Sequence, residues 1–256
     1  MKKFMLLLAV GAFAASCSKE AKITETITIP QTQKTLLIYK GATWCGPCGS
    51  SGKPVLRAME AIGEDKVVCM ASQTNDGLNS AAGDLIGNNL MTRFSQNGIP
   101  HMFESGNGST YNFYPNQSTA TNNMNTINGK SANANAYVSA STNGSNIEVK
   151  AKTKFFAAGS GEYYLSIIVL EDNIQKTQSG SSNPEHDNVM RGNAGSSAWG
   201  ELITSTAMDA EQEFSYSIAI DPSWKKENLK VAAVIWKKNG ANYDAENASA
   251  VKVTLK

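Results

Sequence analysis

The chain has 256 residues with 23 Lys+Arg against 22 Asp+Glu, so it lacks the cation surplus that displaces phosphate counterions, and no nucleic acid is expected among its partners. The same balance excludes an acidic solvating tail protein. With 41% apolar residues the chain can build one large core or two ordinary ones, and its low charged fraction of 18% fits the neutral polar surface of an exported protein.

Met1-Lys2-Lys3 gives a short positive start, and residues 4–15 form an uncharged apolar run. That run is too short for the ~20 residues that span a bilayer and suits the h-region of a secretory signal. It ends Ala14-Ala15-Ser16-Cys17, which resembles the lipobox of bacterial lipoproteins, with Ala14 where Leu is more usual. The resemblance implies a signal peptide over residues 1–16, acylation of Cys17, a tether over 17–32 and attachment to a membrane through lipid on Cys17. An ordinary signal cut near Ser16, leaving Cys17 as a stray thiol, is the alternative.

Residues 35–40 read as a buried strand feeding Gly41-Ala42-Thr43-Trp44-Cys45-Gly46-Pro47-Cys48, and a helical pattern follows with Val55, Leu56, Met59 and Ile62 on one face. Strand, turn, then helix lets a helix amino end favour a thiolate. Cys45 is expected to carry the more exposed sulfur and to attack a disulfide, and Cys48, one turn deeper, to resolve the mixed disulfide. W-C-G-P-C resembles the thioredoxin active site. A second segment, Gln96-Asn97-Gly98-Ile99-Pro100-His101, is similar to the thioredoxin-fold segment that carries a cis-proline beside the dithiol. The resemblance implies catalytic Cys45 and Cys48, with Trp44, Gly46, Pro47, Ile99 and Pro100 contacting substrate. It also implies a hairpin after Pro100, which Gly106-Asn107-Gly108 supports independently as a turn.

Several positions depart from that pattern. Tyr39 stands where thioredoxins often bury an Asp, Gly49-Ser50-Ser51-Gly52 is a poor helix start, and Pro54 falls one residue late. Residues 72–97 form a longer connection, with a helical pattern at Leu78, Ala82, Leu85, Ile86, Met91 and Phe94. A structural zinc would need four Cys/His ligands, and beyond the pair only Cys69, His101 and His186 are available, without ligand spacing. Cys69 itself lies in an apolar run and reads as a small core residue. A static disulfide is the remaining alternative to a catalytic one.

Residues 118–130 are expected to form a thin helix anchored by Met124 and Ile127. The period then changes to two, with β-rich runs at residues 136–141, 146–156, 162–170, 213–220, 229–237 and 248–255. Six or seven short strands without helices point to a sandwich. The expected architecture is therefore an α/β thioredoxin-like domain over residues 33–134, followed by an all-β immunoglobulin-like sandwich over 135–256. Trp199, Trp224 and Trp236 are expected in the core and rim of that sandwich. Glu171, Asp172, His186, Asp187 and Arg191 fall at a strand end and in a polar connection over 173–199, where capping of backbone groups is the expected role.

Lipobox, dithiol segment and β-rich second half together resemble the outer-membrane-protein-28-like lipoproteins of Bacteroidetes. Residues 163–175 are similar to that family's central strand and its acidic end. His186-Asp187-Asn188-Val189-Met190-Arg191-Gly192 is similar to its His-Asn-x-Val-x-Arg segment, with Asp187 departing from the pattern.

The expected function is a membrane-anchored thiol-disulfide oxidoreductase that needs no cofactor or metal. Its partners would be a disulfide-containing protein substrate and an unidentified electron donor or acceptor, at the periplasmic or outer face of the outer membrane. The alternative is a surface-exposed binding or adhesion lipoprotein that uses the same fold as a scaffold.

Overall fold

The computed structural model describes residues 27–256. The expected signal peptide, Cys17 and the first part of the tether lie outside the described residues. Residues 27–32 run along the fold, where Asn247 and Asn135 donate side-chain N–H groups to the carbonyls of Thr32 at 2.9 Å and Pro30 at 3.0 Å.

β1 (Thr35–Gly41) is buried on both faces because it lies inside a sheet. It pairs parallel with β2 (Val67–Gln73) and antiparallel with β3 (His101–Gly106), which turns into β4 (Ser109–Phe113). Three helices pack around these strands: α1 (Lys53–Glu60), α2 (Ala81–Arg93) and α3 (Gln117–Asn128). Ser80 caps α2 by accepting the Gly83 N–H, and Asn116 caps α3 by accepting the Thr119 N–H. Met124 and Ile127 are buried anchors of α3.

The chain continues as β5 (Ala134–Asn143), β6 (Asn146–Phe155), β7 (Tyr163–Glu171), β8 (Ile174–Gln175), β9 (Glu185–His186), β10 (Val189–Asn193), β11 (Glu201–Ile203), β12 (Glu211–Ala219), β13 (Leu229–Asn239) and β14 (Asn242–Lys252). β5, β6 and β12 make a three-stranded sheet in the order β12-β6-β5, and β8 and β9 form a separate two-stranded sheet. The others join β1–β4 in one nine-stranded mixed sheet, ordered β14-β13-β7-β10-β2-β1-β3-β4, with β11 also on β7.

That sheet corrects the expected architecture. The molecule is mostly β, and it is not an α/β thioredoxin-like domain followed by an immunoglobulin-like sandwich. The cause is β10. The stretch over 173–199, expected to be a polar connection, places β10 antiparallel to β7 and against β2, where Val189 pairs with Ala71 and the Ala71 N–H donates to the Asn188 carbonyl at 2.7 Å.

The cores follow from this joining. On one face α2, through Ala82, Ile86 and Leu90, covers Leu36, Ile38 and Phe103, and the same apolar cluster runs on through Leu170, Met190, Val234 and Trp236. Separating the strands between β2 and β10 would uncover such side chains at roughly 1.5–3 kcal/mol each, so the shared face resists division. Trp199 and Trp236 belong to this face and meet edge-to-face at 5.0 Å. They are therefore not in the sandwich core, whereas Trp224 does pack against the cluster formed with the three-stranded sheet. On the opposite face, α1 and α3 cover β1–β3, and β5, β6 and β12 cover β7 and β13. Among the described residues no helix is long and apolar enough to cross a membrane.

Candidate functional site

β1 ends at Gly41, where a Cβ would lie 2.3 Å from the Tyr39 hydroxyl, so only glycine lets the chain turn over that ring. The turn is closed by the Cys45 N–H donating to the Ala42 carbonyl at 3.2 Å. Asp76 holds it from outside, accepting the Thr43 N–H at 2.9 Å. The glycine- and serine-rich stretch after Cys48 winds as a wide π turn over Cys48–Gly52, and α1 starts only at Lys53 with Pro54 in its first turn, where a missing N–H does no harm.

Cys45 and Cys48 are joined in a disulfide. Cys45 is 6% exposed and Cys48 is fully buried, so the first sulfur is the nearer to solvent but is recessed. The Cys48 N–H points at Cys45 Sγ from 3.1 Å, the kind of amide contact that favours a thiolate there. The Ile99 carbonyl lies 3.7 Å from the same sulfur, and the Ile99–Pro100 bond is cis. Pro100 is buried beside Gly52, while Ile99 is partly exposed. Trp44 is 58% exposed with its indole N–H on the Thr74 carbonyl at 3.2 Å, Pro47 is exposed and Gly46 is half-buried. The structure thus gathers Trp44, Cys45, Gly46, Pro47, Cys48, Ile99 and Pro100 at one corner of the fold, with Trp44 and Pro47 exposed and Cys45, Cys48 and Pro100 buried. Cys17 lies outside the described residues.

Tyr39 is buried beneath the motif and its hydroxyl donates to the Cys48 carbonyl at 3.4 Å. Burial, with Asp76 as a lesser cause, pushes its phenol above the usual range, so it stays a neutral donor. Cys69 is free and buried, and desolvation raises its thiol well above the ordinary value, which suits an inert core residue. Among the described residues no group of three or more His, Cys, Asp or Glu side chains is gathered to hold a metal ion.

The residues that sequence reasoning missed come from the C-terminal half. Between β8 and β9 the chain passes as a strap over the amino end of the motif. Gln178 is buried, and its Nε2 lies within 3.2 Å of the Ala42 and Thr43 carbonyls and 3.0 Å of the Cys45 carbonyl. The Ser179 N–H donates to the Thr43 carbonyl at 2.8 Å. Farther along, Lys53 donates to the Asn183 and Glu185 carbonyls at 2.8 and 2.7 Å, and Arg57 pairs with Glu185 and Asp187 at 3.3 and 3.5 Å. Burial, then the Arg57 charge, draws the Lys53 ammonium below its usual range. A Ser/Gly/Asn-rich stretch reads as an ordinary loop, and its seat is visible only in three dimensions. The acidic residues at the strand end cap backbone groups: Asp172 accepts the Asn188 N–H at 2.8 Å and Asp187 the Asn173 N–H at 2.9 Å.

The family model described as outer membrane protein Omp28 matches residues 87–256. Among solved structures, HBP35 of Porphyromonas gingivalis is similar at a TM-score of 0.75 and 16% identity, over 88% of this chain and 76% of that one. A structural-genomics protein from Agrobacterium tumefaciens is similar at a TM-score of 0.57 and 13% identity, over 87% and 96%. A domain of the outer membrane lipoprotein Omp28 from Porphyromonas gingivalis aligns over 49% of this chain and 91% of its own, at 20% identity and a TM-score of 0.37. No curated protein matches in sequence. At these identities the first two likenesses concern fold alone.

Proposed function

The chain belongs to the Omp28 family of outer membrane proteins, and on that premise we propose that it is a thiol-disulfide oxidoreductase of the cell envelope, anchored through lipid on Cys17 and acting through Cys45 and Cys48. The observation that carries this is the surrounding of Cys45 Sγ: one amide at 3.1 Å, the Ile99 carbonyl at 3.7 Å, and exposed Trp44 and Pro47 beside it. Among the described residues the Ile99 N–H has no backbone partner, which leaves an extended visitor a place to pair next to the sulfur.

In the reduced form, the Cys45 thiolate attacks one sulfur of a partner disulfide. A Cys45–partner bond forms, the partner's S–S bond breaks, and the departing partner thiolate takes a proton. Cys48, having lost its proton, then attacks Cys45 Sγ, restoring the Cys45–Cys48 bond and releasing the second partner thiol. Two electrons and two protons reach the partner, and a dithiol protein returns them to Cys45–Cys48. Oxidation of a dithiol client by the disulfide is the same path reversed.

One observation favours a second role, a binding or adhesion lipoprotein with a static disulfide: both cysteines are buried. Reduction of a protein disulfide by wild type and Cys45→Ser separates the two. Wild type is expected to exceed the variant at least tenfold, with Cys48→Ala accumulating a mixed disulfide on Cys45. Equal rates, with no trapped adduct, would remove the enzyme from consideration.

A further inference from the structure

We propose that residues 178–180 form a wall beside the exposed residues of the motif, along which an extended, uncharged segment of a disulfide-bearing polypeptide docks, so that the C-terminal half of the chain helps select what Cys45 attacks. This rests on the exchange chemistry above and names the part of the molecule that reads the partner.

The wall is fixed to the motif by close backbone contact and by one buried side chain. A Cβ on Gly49 would lie 2.1 Å from the Ser179 carbonyl oxygen. Gly180 has φ +79°, and a Cβ there would lie 2.1 Å from the Gly46 carbonyl oxygen. Contacts this close mean that the strap and the C-x-x-C turn touch with no side chain between them. Gln178 secures the seat from within. Its amide is buried among the carbonyls of Ala42, Thr43 and Cys45, so a single side chain ties the strap to the turn that carries the attacking sulfur. A buried amide left without these acceptors would be desolvated and unpaired, which holds the wall in place.

The outer side of the same wall is free. Ser179 and Gly180 are exposed, as are Trp44 and Pro47, and Ile99 is partly exposed. These residues carry no charge, so recognition there depends on shape and backbone pairing, and charge steering is weak. Glycine and serine leave room for a polypeptide backbone to pass close to Gly46. A small disulfide reaches Cys45 without running along the wall, whereas a protein disulfide brings flanking residues across it. The partner is thus selected through binding outside the reacting atoms, which moves KM more than kcat.

The test adds bulk to the wall. Full-length Ser179→Trp and wild type are compared on insulin, with a dithiol reductant resupplying electrons, and on a small aromatic disulfide. For Ser179→Trp the KM for insulin is expected to rise at least tenfold with kcat within about twofold. Continued exchange with the small disulfide shows that the variant is folded and its dithiol competent. An unchanged KM, or a loss of kcat shared by both substrates, would overturn the wall. If wild type exchanges with neither substrate, the exchange chemistry itself fails and takes the wall with it.

Discussion

The dithiol corner and the core beneath the three-stranded sheet are built on contrasting principles. In that core, side chains meet side chains: the Phe155 ring lies edge-to-face on Tyr163 at 5.1 Å, among buried Ile147, Leu165 and Val231. At the corner, backbone meets backbone, with Gly49, Gly180 and the carbonyls of Gly46 and Ser179 in contact. Removing atoms therefore damages the first region, and adding atoms damages the second. The core is tuned for burial, while the corner is tuned for close approach around one sulfur.

The largest expected effect comes from emptying the core. Phe155→Ala should cost about 3–5 kcal/mol, because it loses the transfer energy of a fully buried ring and leaves a cavity that strands on both sides cannot close. Denaturant unfolding measures it, and a loss under about 1 kcal/mol would mean that the two sheets relax together far more than their packing implies.

Adding one methyl at the corner is expected to come next. Gly180→Ala would force a Cβ against the Gly46 carbonyl at a positive φ, costing about 2–3 kcal/mol. Gly98→Ala is its control, since a Cβ at Gly98 meets nothing within 4 Å, and that variant should stay within about 1 kcal/mol of wild type. Thermal melts of the pair decide the comparison. Equal melting temperatures would show that the strap yields easily and that the corner is not held by close approach.

Much of this was legible before the structure. β5, β6, β7, β12 and β13 begin and end within two residues of their β-rich runs, whereas β14 begins six residues before the run expected over 248–255. The double-sided apolar run in β7 announces a strand covered on both sides, as Ile167 and Ile168 are, one in each apolar cluster. The dithiol and Ile99-Pro100 were legible because they are short motifs in chain order. The joining of the two halves was not. β10 reads Val-Met-Arg-Gly-Asn, has too few residues for any period to emerge, and pairs with β2 through a single register pair. Its strand character is supplied by its neighbours, not by its composition. Gln178 was hidden for the same reason, since a lone glutamine in a polar run carries no signal until backbone carbonyls converge on it. Trp199 and Trp236, expected in a sandwich core and rim, lie instead in the apolar cluster that α2 shares with β1 and β10, because β10 joins the two sets of strands into one sheet.

A buried carboxyl on the dithiol side sharpens the contrast further. Glu104 is fully buried on β3, pairs across the sheet with Leu37 and Tyr111, and finds no hydrogen-bond partner for either oxygen among the described residues. Burial pushes its carboxyl up to about 8. The folded chain therefore keeps a proton that the unfolded chain, titrating near 4.5, has already released. Its contribution to stability is full below about pH 4.5 and declines as pH rises towards 8, by at most about 1.4 kcal/mol per pH unit. Between pH 6 and pH 8 the wild type should lose about 2 kcal/mol more than Glu104→Gln, whose amide keeps the shape and cannot titrate. Urea midpoints for both proteins at the two pH values measure this double difference, which cancels every other titrating group. Parallel behaviour would mean that Glu104 is already ionised at neutral pH and is solvated by something outside its present surroundings. The side of the sheet carrying the dithiol would then be wetter than its packing implies.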